Sequence, residues 1–191
     1  DRIRNGRSFI TRRVVARQSE GAILNLSCSF QVVEDQADIQ ESSLPTDVGE
    51  PGSGANEDWG LLSRRVTHRG SGRAAIWLKV AGPLGDDPIL QACALAYTSD
   101  DIPTTAVSSS HPRIGAVKLG HTSYGDAFIG ASLDHAIWFH RPAPADEWQL
   151  HEFRSHGLNG GRGLSIGEIF AADGTHVATV AQEALLRERT R

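Results

Sequence analysis

The sequence predicts an α+β fold, and three observations carry that prediction. One helical segment, opened by Asp87-Pro88, is followed by a run of strand-like segments with no second helical pattern among them. A hairpin turn signal, Asp173-Gly174, separates the last two of those strands. The chain also opens and closes on similar hairpins: Gly6-Arg7 with a turn at Gly21, and Gly161-Arg162 with a turn at Gly174. The two glycine spacings differ by an even number, so strand parity is kept, which reads as two copies of one unit.

In chain order, Ser8 to Ala16 is β-branched and partly alternating, Gln18-Ser19-Glu20-Gly21 supplies a turn, and Ala22 to Phe30 returns. Residues 1–33 therefore read as a β-hairpin. From Glu34 to Asp58 the chain becomes acidic and rich in Ser, Pro and Gly, with Pro45, Pro51 and Gly52-Ser53-Gly54. That composition predicts a solvated tether between two structured halves, with little apolar surface to bury. Strands are expected over Leu61–Arg69 and Arg73–Val80. Asp87 is placed to cap a helix with Pro88 at its first position. Ile89, Leu90, Cys93, Ala94 and Tyr97 recur at helical spacing, so their face is expected to be buried. The helix should fade near Ser99-Asp100, before Pro103, and the polar residues from Thr104 to Ser110 are expected to form a loop. Ile129–Arg141, Trp148–His156, Leu164–Ala171 and His176–Leu186 complete the strands.

The composition is that of an ordinary soluble domain: 191 residues, 39% hydrophobic and 22% charged, which excludes collagenous, low-complexity and disulfide-scaffold classes. A net charge of −4 argues against nucleic acid as partner, since phosphate neutralisation needs a basic face. Only Lys79 and Lys118 are lysines, a bias toward Arg that coding preference explains. Cys28 and Cys93 form no spaced motif and lie in apolar runs, so they are expected to be buried free thiols in a reducing compartment. No apolar stretch is long enough to span a bilayer, and the cytoplasm is the expected location. The chain has no Met and begins at Asp1, from which an absent upstream segment is expected.

Several motifs suggest chemistry. Gly163-Leu164-Ser165-Ile166-Gly167 matches a nucleophile elbow, which needs a strand–turn–helix context that the flanking strand pattern does not offer. His151 and His156 are spaced five apart in a strand-like segment rather than four apart on a helix, so no metal site is expected. Ser132, Asp134 and His135 look like a triad in one strand, but alternation would turn His135 away from the other two. His135 and His140 therefore read as structural, hydrogen-bonded around Trp138. A more distant set is Asp100, Ser132 and Gln182. Asp100 sits at the C-terminal end of a helix, an unfavourable place for a carboxylate. Gln182 sits in an otherwise apolar strand and needs a partner if buried. Ser132 follows Gly130-Ala131, which leave room for close approach.

The run Ser132-Leu133-Asp134-His135-Ala136-Ile137-Trp138-Phe139-His140-Arg141-Pro142 resembles the signature strand of the acyl-CoA thioesterase II family. Tyr97-Thr98-Ser99-Asp100, Gly160-Gly161-Arg162-Gly163 and Val180-Ala181-Gln182-Glu183 resemble further motifs of that family in the same order, and Gly6-Arg7-Ser8-Phe9 its first-half hairpin. The resemblance implies a double hotdog, in which each unit wraps an antiparallel sheet around a long helix. Residues 1–33 would be the C-terminal hairpin of a first, N-terminally incomplete unit, 34–58 the linker and 59–191 a second, complete unit. It implies acyl-CoA as substrate and hydrolysis to fatty acid and free CoA. Asp100 would be the general base, with Ser132 and Gln182 orienting the water. No cofactor or metal is needed, and a homo-oligomer, dimer or tetramer, is expected. Asp101 beside Asp100 would raise the base's pKa or simply face water. Two other readings share the fold: a non-catalytic acyl-CoA-binding module, and an enoyl-CoA hydratase using a His-Asp pair. Arg189-Thr190-Arg191 is not a peroxisomal tripeptide, which favours the cytoplasm.

Overall fold

A computed structural model describes residues 1–115 and 128–189 of the chain; Lys118 and the last two residues lie outside them. The chain divides into two compact units, Asp1–Ile39 and Gln40–Arg191. The first is a three-stranded antiparallel sheet of β1 (Arg2–Asn5), β2 (Phe9–Gln18) and β3 (Gly21–Gln31), in the order β1-β2-β3. Gln18 pairs with Gly21 across the expected tight turn, where Gly21 takes φ 130, a backbone conformation open to glycine.

The second unit holds β4 (Ala55–Asn56), β5 (Leu62–Gly70), β6 (Arg73–Val80), β7 (Phe128–Ser132), β8 (Ala136–Phe139), β9 (Gln149–Asn159), β10 (Arg162–Ala171) and β11 (His176–Glu188). Every pairing is antiparallel, in the order β4-β5-β6-β9-β10-β11-β7, with β8 also on β11. Among the described residues three helices follow β6: α1 (Pro88–Thr98), α2 (Pro103–Ser109) and α3 (Pro112–Gly115). α2 packs against β5, β6, β7, β9, β10 and β11, so the curled sheet closes around it. Among the described residues no helix is long and apolar enough to cross a membrane.

α1 begins as its sequence predicts, with Asp87 accepting from the Ile89 amide at 2.9 Å and Pro88 in the first turn. Its buried face differs from the expected one. Ile89 is 74% exposed and Tyr97 55%, whereas Leu95 and Thr98 are buried. α1 is largely apolar around its circumference, so a 3.6-residue period does not select a unique inner stripe. Polar anchoring does: Gln91 donates to Gly85 O and accepts from the Ala145 amide, and so turns its own side of the helix inward. Cys93 is consequently exposed and Cys28 half-exposed; both are free thiols, but neither is buried as expected.

The segment expected as a polar loop after Pro103 is α2. Ala106 and Val107 are fully buried. Ser108, Ser109 and Ser110 each turn a hydroxyl back to the carbonyl three residues earlier, at 3.0, 2.9 and 2.7 Å. Those bonds satisfy polar groups that composition alone marks as needing water. The small inner face of β10 admits the helix closely. A Cβ on Gly163 would lie 2.3 Å from Val107 Cγ1 of α2, whereas one on Gly167 would meet Phe153 Cδ1 of the neighbouring strand β9 at 2.4 Å.

Residues 40–48, expected to be part of a solvated tether, lie against the other face of the sheet, and Ala55–Asn56 pairs onto its edge as β4. Leu44 and Val48 pack with Ala75, Trp77, Leu150 and Phe170. Trp77 Nε1 donates to Val48 O at 3.1 Å, Arg73 pairs with Asp47, and Gln40 Oε1 accepts from the His176 amide at 2.8 Å. Two apolar side chains in an acidic stretch are enough to anchor it, because outward-facing Trp77 and Phe170 offer them a surface. Farther along the same face, Ile129, Trp138, Leu164 and Ile166 remain exposed.

Candidate active site

Asp100, Ser132 and Gln182 reach one place from three elements. Asp100 follows Ser99, the C-cap of α1; Ser132 ends β7; and Gln182 lies in β11, where it is wholly buried. Ser132 pairs with Ala184, two residues from Gln182, which puts the serine and the amide within diagonal reach on one face. Ser132 Oγ donates to Asp100 Oδ1 at 3.0 Å and accepts from Gln182 Nε2 at 2.8 Å. The buried amide thus has the partner its apolar strand requires.

Sequence reasoning missed His135. The expected continuous strand over Ile129–Arg141 is broken at residues 133–135, because Asp134 Oδ1 accepts from the Glu183 amide at 2.8 Å and replaces a ladder bond. The Leu133 amide donates to Glu183 O at 2.9 Å and pins the turn from its other side. Alternation therefore stops at Ser132, and His135 swings toward the site instead of away. Its Nδ1 is 2.5 Å from Gln182 Oε1 and its Nε2 is 2.8 Å from Ser99 Oγ. His140 instead bonds Thr179 at 2.8 Å, with Trp138 itself 54% exposed. Asp134 bonds backbone rather than His135, so no Ser-His-Asp relay forms among neighbours.

The Asp100-Asp101 doublet is split. Asp100 meets Ser132, while Asp101 turns inward, its Oδ2 2.9 Å from Arg64 Nε. Burial pushes the Asp101 carboxyl above its ordinary range; Arg64 opposes that shift and the neighbouring Asp100 adds to it. Asp101 therefore does not simply face water. A cleft of about 520 Å³ opens beside Asp100, lined by Trp59, Leu62, Ala96, Tyr97, Asp101 and His135. Its walls are apolar on the Trp59 and Tyr97 side and polar at the carboxylate.

The remaining motifs lie elsewhere. Ser165 is buried within β10 between the two close-packed glycines, opposite Gln182 in register, and stands in a strand instead of a strained elbow. His151 is buried in β9 and His156 is exposed. Burial lowers the His151 pKa to about 3.

Residues 35–186 match the family model of the acyl-CoA thioesterase C-terminal domain. The chain is 30% identical to acyl-CoA thioesterase 2 of Haemophilus influenzae, across 97% of this chain and 71% of that one. It is 27% identical to acyl-coenzyme A thioesterase 8 of Rattus norvegicus, across 100% and 67% respectively. The crystal structure of an acyl-CoA thioesterase II of Mycobacterium marinum superposes with a TM-score of 0.83 at 33% identity, covering all of this chain and 73% of its own. A hotdog-fold protein of Alicyclobacillus acidocaldarius gives a TM-score of 0.75 at 18% identity, which supports the hotdog architecture alone.

Proposed function

The chain belongs to the acyl-CoA thioesterase family, and from that premise we propose that it hydrolyses acyl-CoA through water held at Asp100, Ser132 and Gln182. The observation that carries this reading is the continuous chain from Gln182 Nε2 to Ser132 Oγ to Asp100 Oδ1, at 2.8 and 3.0 Å, beside an open cleft. A carboxylate that already accepts one hydrogen bond keeps a lone pair for the proton of a water. Asp100 takes that proton as the water oxygen bonds to the thioester carbonyl carbon. Ser132 and Gln182 fix where the water and the carboxylate stand, so the attack starts from an aligned pair. Collapse of the tetrahedral adduct breaks the carbon–sulfur bond. The sulfur leaves as the CoA thiolate and takes a proton, giving free CoA and the carboxylic acid. The apolar wall at Trp59, Leu62, Ala96 and Tyr97 suits the acyl chain.

The test is thiol release by the purified protein across acyl-CoA chain lengths. Release of one thiol per acid formed supports hydrolysis. Saturable binding of acyl-CoA without thiol release favours a non-catalytic binding module instead.

The same reading extends to assembly and compartment. Ile129, Trp138, Leu164 and Ile166 leave an exposed apolar stretch of sheet, which supports a homo-oligomer, and two free cysteines suit a reducing compartment such as the cytoplasm. Sedimentation velocity distinguishes a dimer or tetramer from a monomer.

A further inference from the structure

We propose that His135 is a positioning residue for this hydrolysis, its Nδ1–H holding the Gln182 amide in the orientation that lets Ser132 donate to Asp100; the proposal rests on the hydrolytic reading above.

Ser132 has one hydroxyl proton and gives it to Asp100 Oδ1. Its oxygen must then accept from Gln182, so the Gln182 amide presents Nε2 to Ser132 and Oε1 to His135. An amide oxygen only accepts, so His135 Nδ1, 2.5 Å away, carries a proton. If the amide were reversed, Oε1 would face Ser132. That hydroxyl would then have two acceptors and a single proton, and the bond to Asp100 would compete with the bond to Gln182.

Ser99 fixes the other end of the imidazole. Its Oγ lies 2.8 Å from both Ala96 O and His135 Nε2. When Ser99 donates to Ala96 O, Nε2 must donate to Ser99 and the ring carries both protons. When Ser99 donates to Nε2, the ring is neutral with its proton on Nδ1. Both arrangements place a proton on Nδ1, and both aim every donor along one path: His135 to Gln182, Gln182 to Ser132, Ser132 to Asp100. The ring is held for that task by Asp134 and Leu133, whose bonds to Glu183 fix the turn that carries it.

The experiment compares His135→Ala, His135→Asn and His135→Gln in steady-state thiol release. Asn carries its amide N–H near the Nδ1 position, and Gln carries it near Nε2. The Ala variant is expected to lower kcat about 10- to 100-fold with KM within about twofold, because alignment is lost while the apolar wall at Trp59, Leu62, Ala96 and Tyr97 is kept. Asn is expected to restore most of kcat and Gln little of it. Unchanged kcat in the Ala variant, or equal rescue by Asn and Gln, overturns the proposal. Nitrogen-15 imidazole spectra of the unmodified protein read the same point without turnover: a protonated Nδ1 is expected, and a bare Nδ1 with Nε2–H contradicts it. Acyl-CoA binding by the unmodified protein without thiol release would count against the hydrolytic reading while leaving that tautomer result standing, so the two failures are distinct.

Discussion

Gln182 Nε2 lies 2.8 Å from Ser132 Oγ, joining two residues 50 positions apart. The contact exists because β11 and β7 pair with Ala184 opposite Ser132, which leaves Gln182 one diagonal step along the same face. The buried amide thus orients the hydroxyl of a solvent-exposed serine. Replacing Gln182 with Ala is expected to lower kcat by about 100-fold through lost alignment, with a smaller effect on KM. Steady-state thiol release checks this, with circular dichroism confirming that the sheet persists.

Arg64 and Asp101 form a pair with side chains only 7% and 10% exposed. Removing one member leaves the other charge buried without its counterion. Asp101→Asn is expected to cost about 3 kcal/mol, whereas the double replacement Arg64→Met with Asp101→Leu costs less than Asp101→Asn alone. Urea midpoints for the single and double variants measure the difference.

His151 is fully enclosed in β9 and its pKa is lowered to about 3 by burial. In the unfolded chain the imidazole titrates near 6.5. The unfolded state therefore binds the proton first as pH falls. The stability contributed by keeping this ring neutral is present above about pH 6.5 and is lost toward pH 3, at up to about 1.4 kcal/mol per pH unit. Denaturant unfolding of the parent and of His151→Leu, compared across pH 7 to 4.5, is expected to show a shallower pH slope in the variant.

Gly163 faces Val107 so closely that a methyl group would sit 2.3 Å from Val107 Cγ1. Gly163→Ala is expected to destabilise the protein by about 1–3 kcal/mol, since α2 must move off the sheet. Val107→Ala in the same chain should recover part of that loss. Thermal melts of the parent and the two variants decide the matter.

The strands were legible because their physics is local. Arg73–Val80 coincides with β6, and Asp173-Gly174 turns β10 into β11 as expected, with Gly174 at φ 90. α2 was hidden by its own residues: a Thr- and Ser-rich heptapeptide reads as loop until the hydroxyls are seen bonded to their own backbone. The segment over Leu44 and Val48 was hidden by acidic neighbours, since its partners Trp77 and Phe170 are remote in sequence. Asp100, Ser132 and Gln182 carried only weak individual signals, a carboxylate past a helix end and a lone amide among apolar residues. They became a set through the family resemblance. Strand alternation carried unbroken through Asp134 puts His135 on the wrong side. The available signal was Asp134 itself, a side chain apt to bond nearby backbone and end a strand.

The central claim is that Asp100 activates the attacking water. Its most direct test is single-turnover thiol release from acyl-CoA by the purified protein and by Asp100→Asn, an isosteric change that keeps the Ser132 contact within reach. A fall of about 10²- to 10⁴-fold in the chemical rate is expected, with acyl-CoA binding retained. Thiol release by the variant at the parental rate would contradict it.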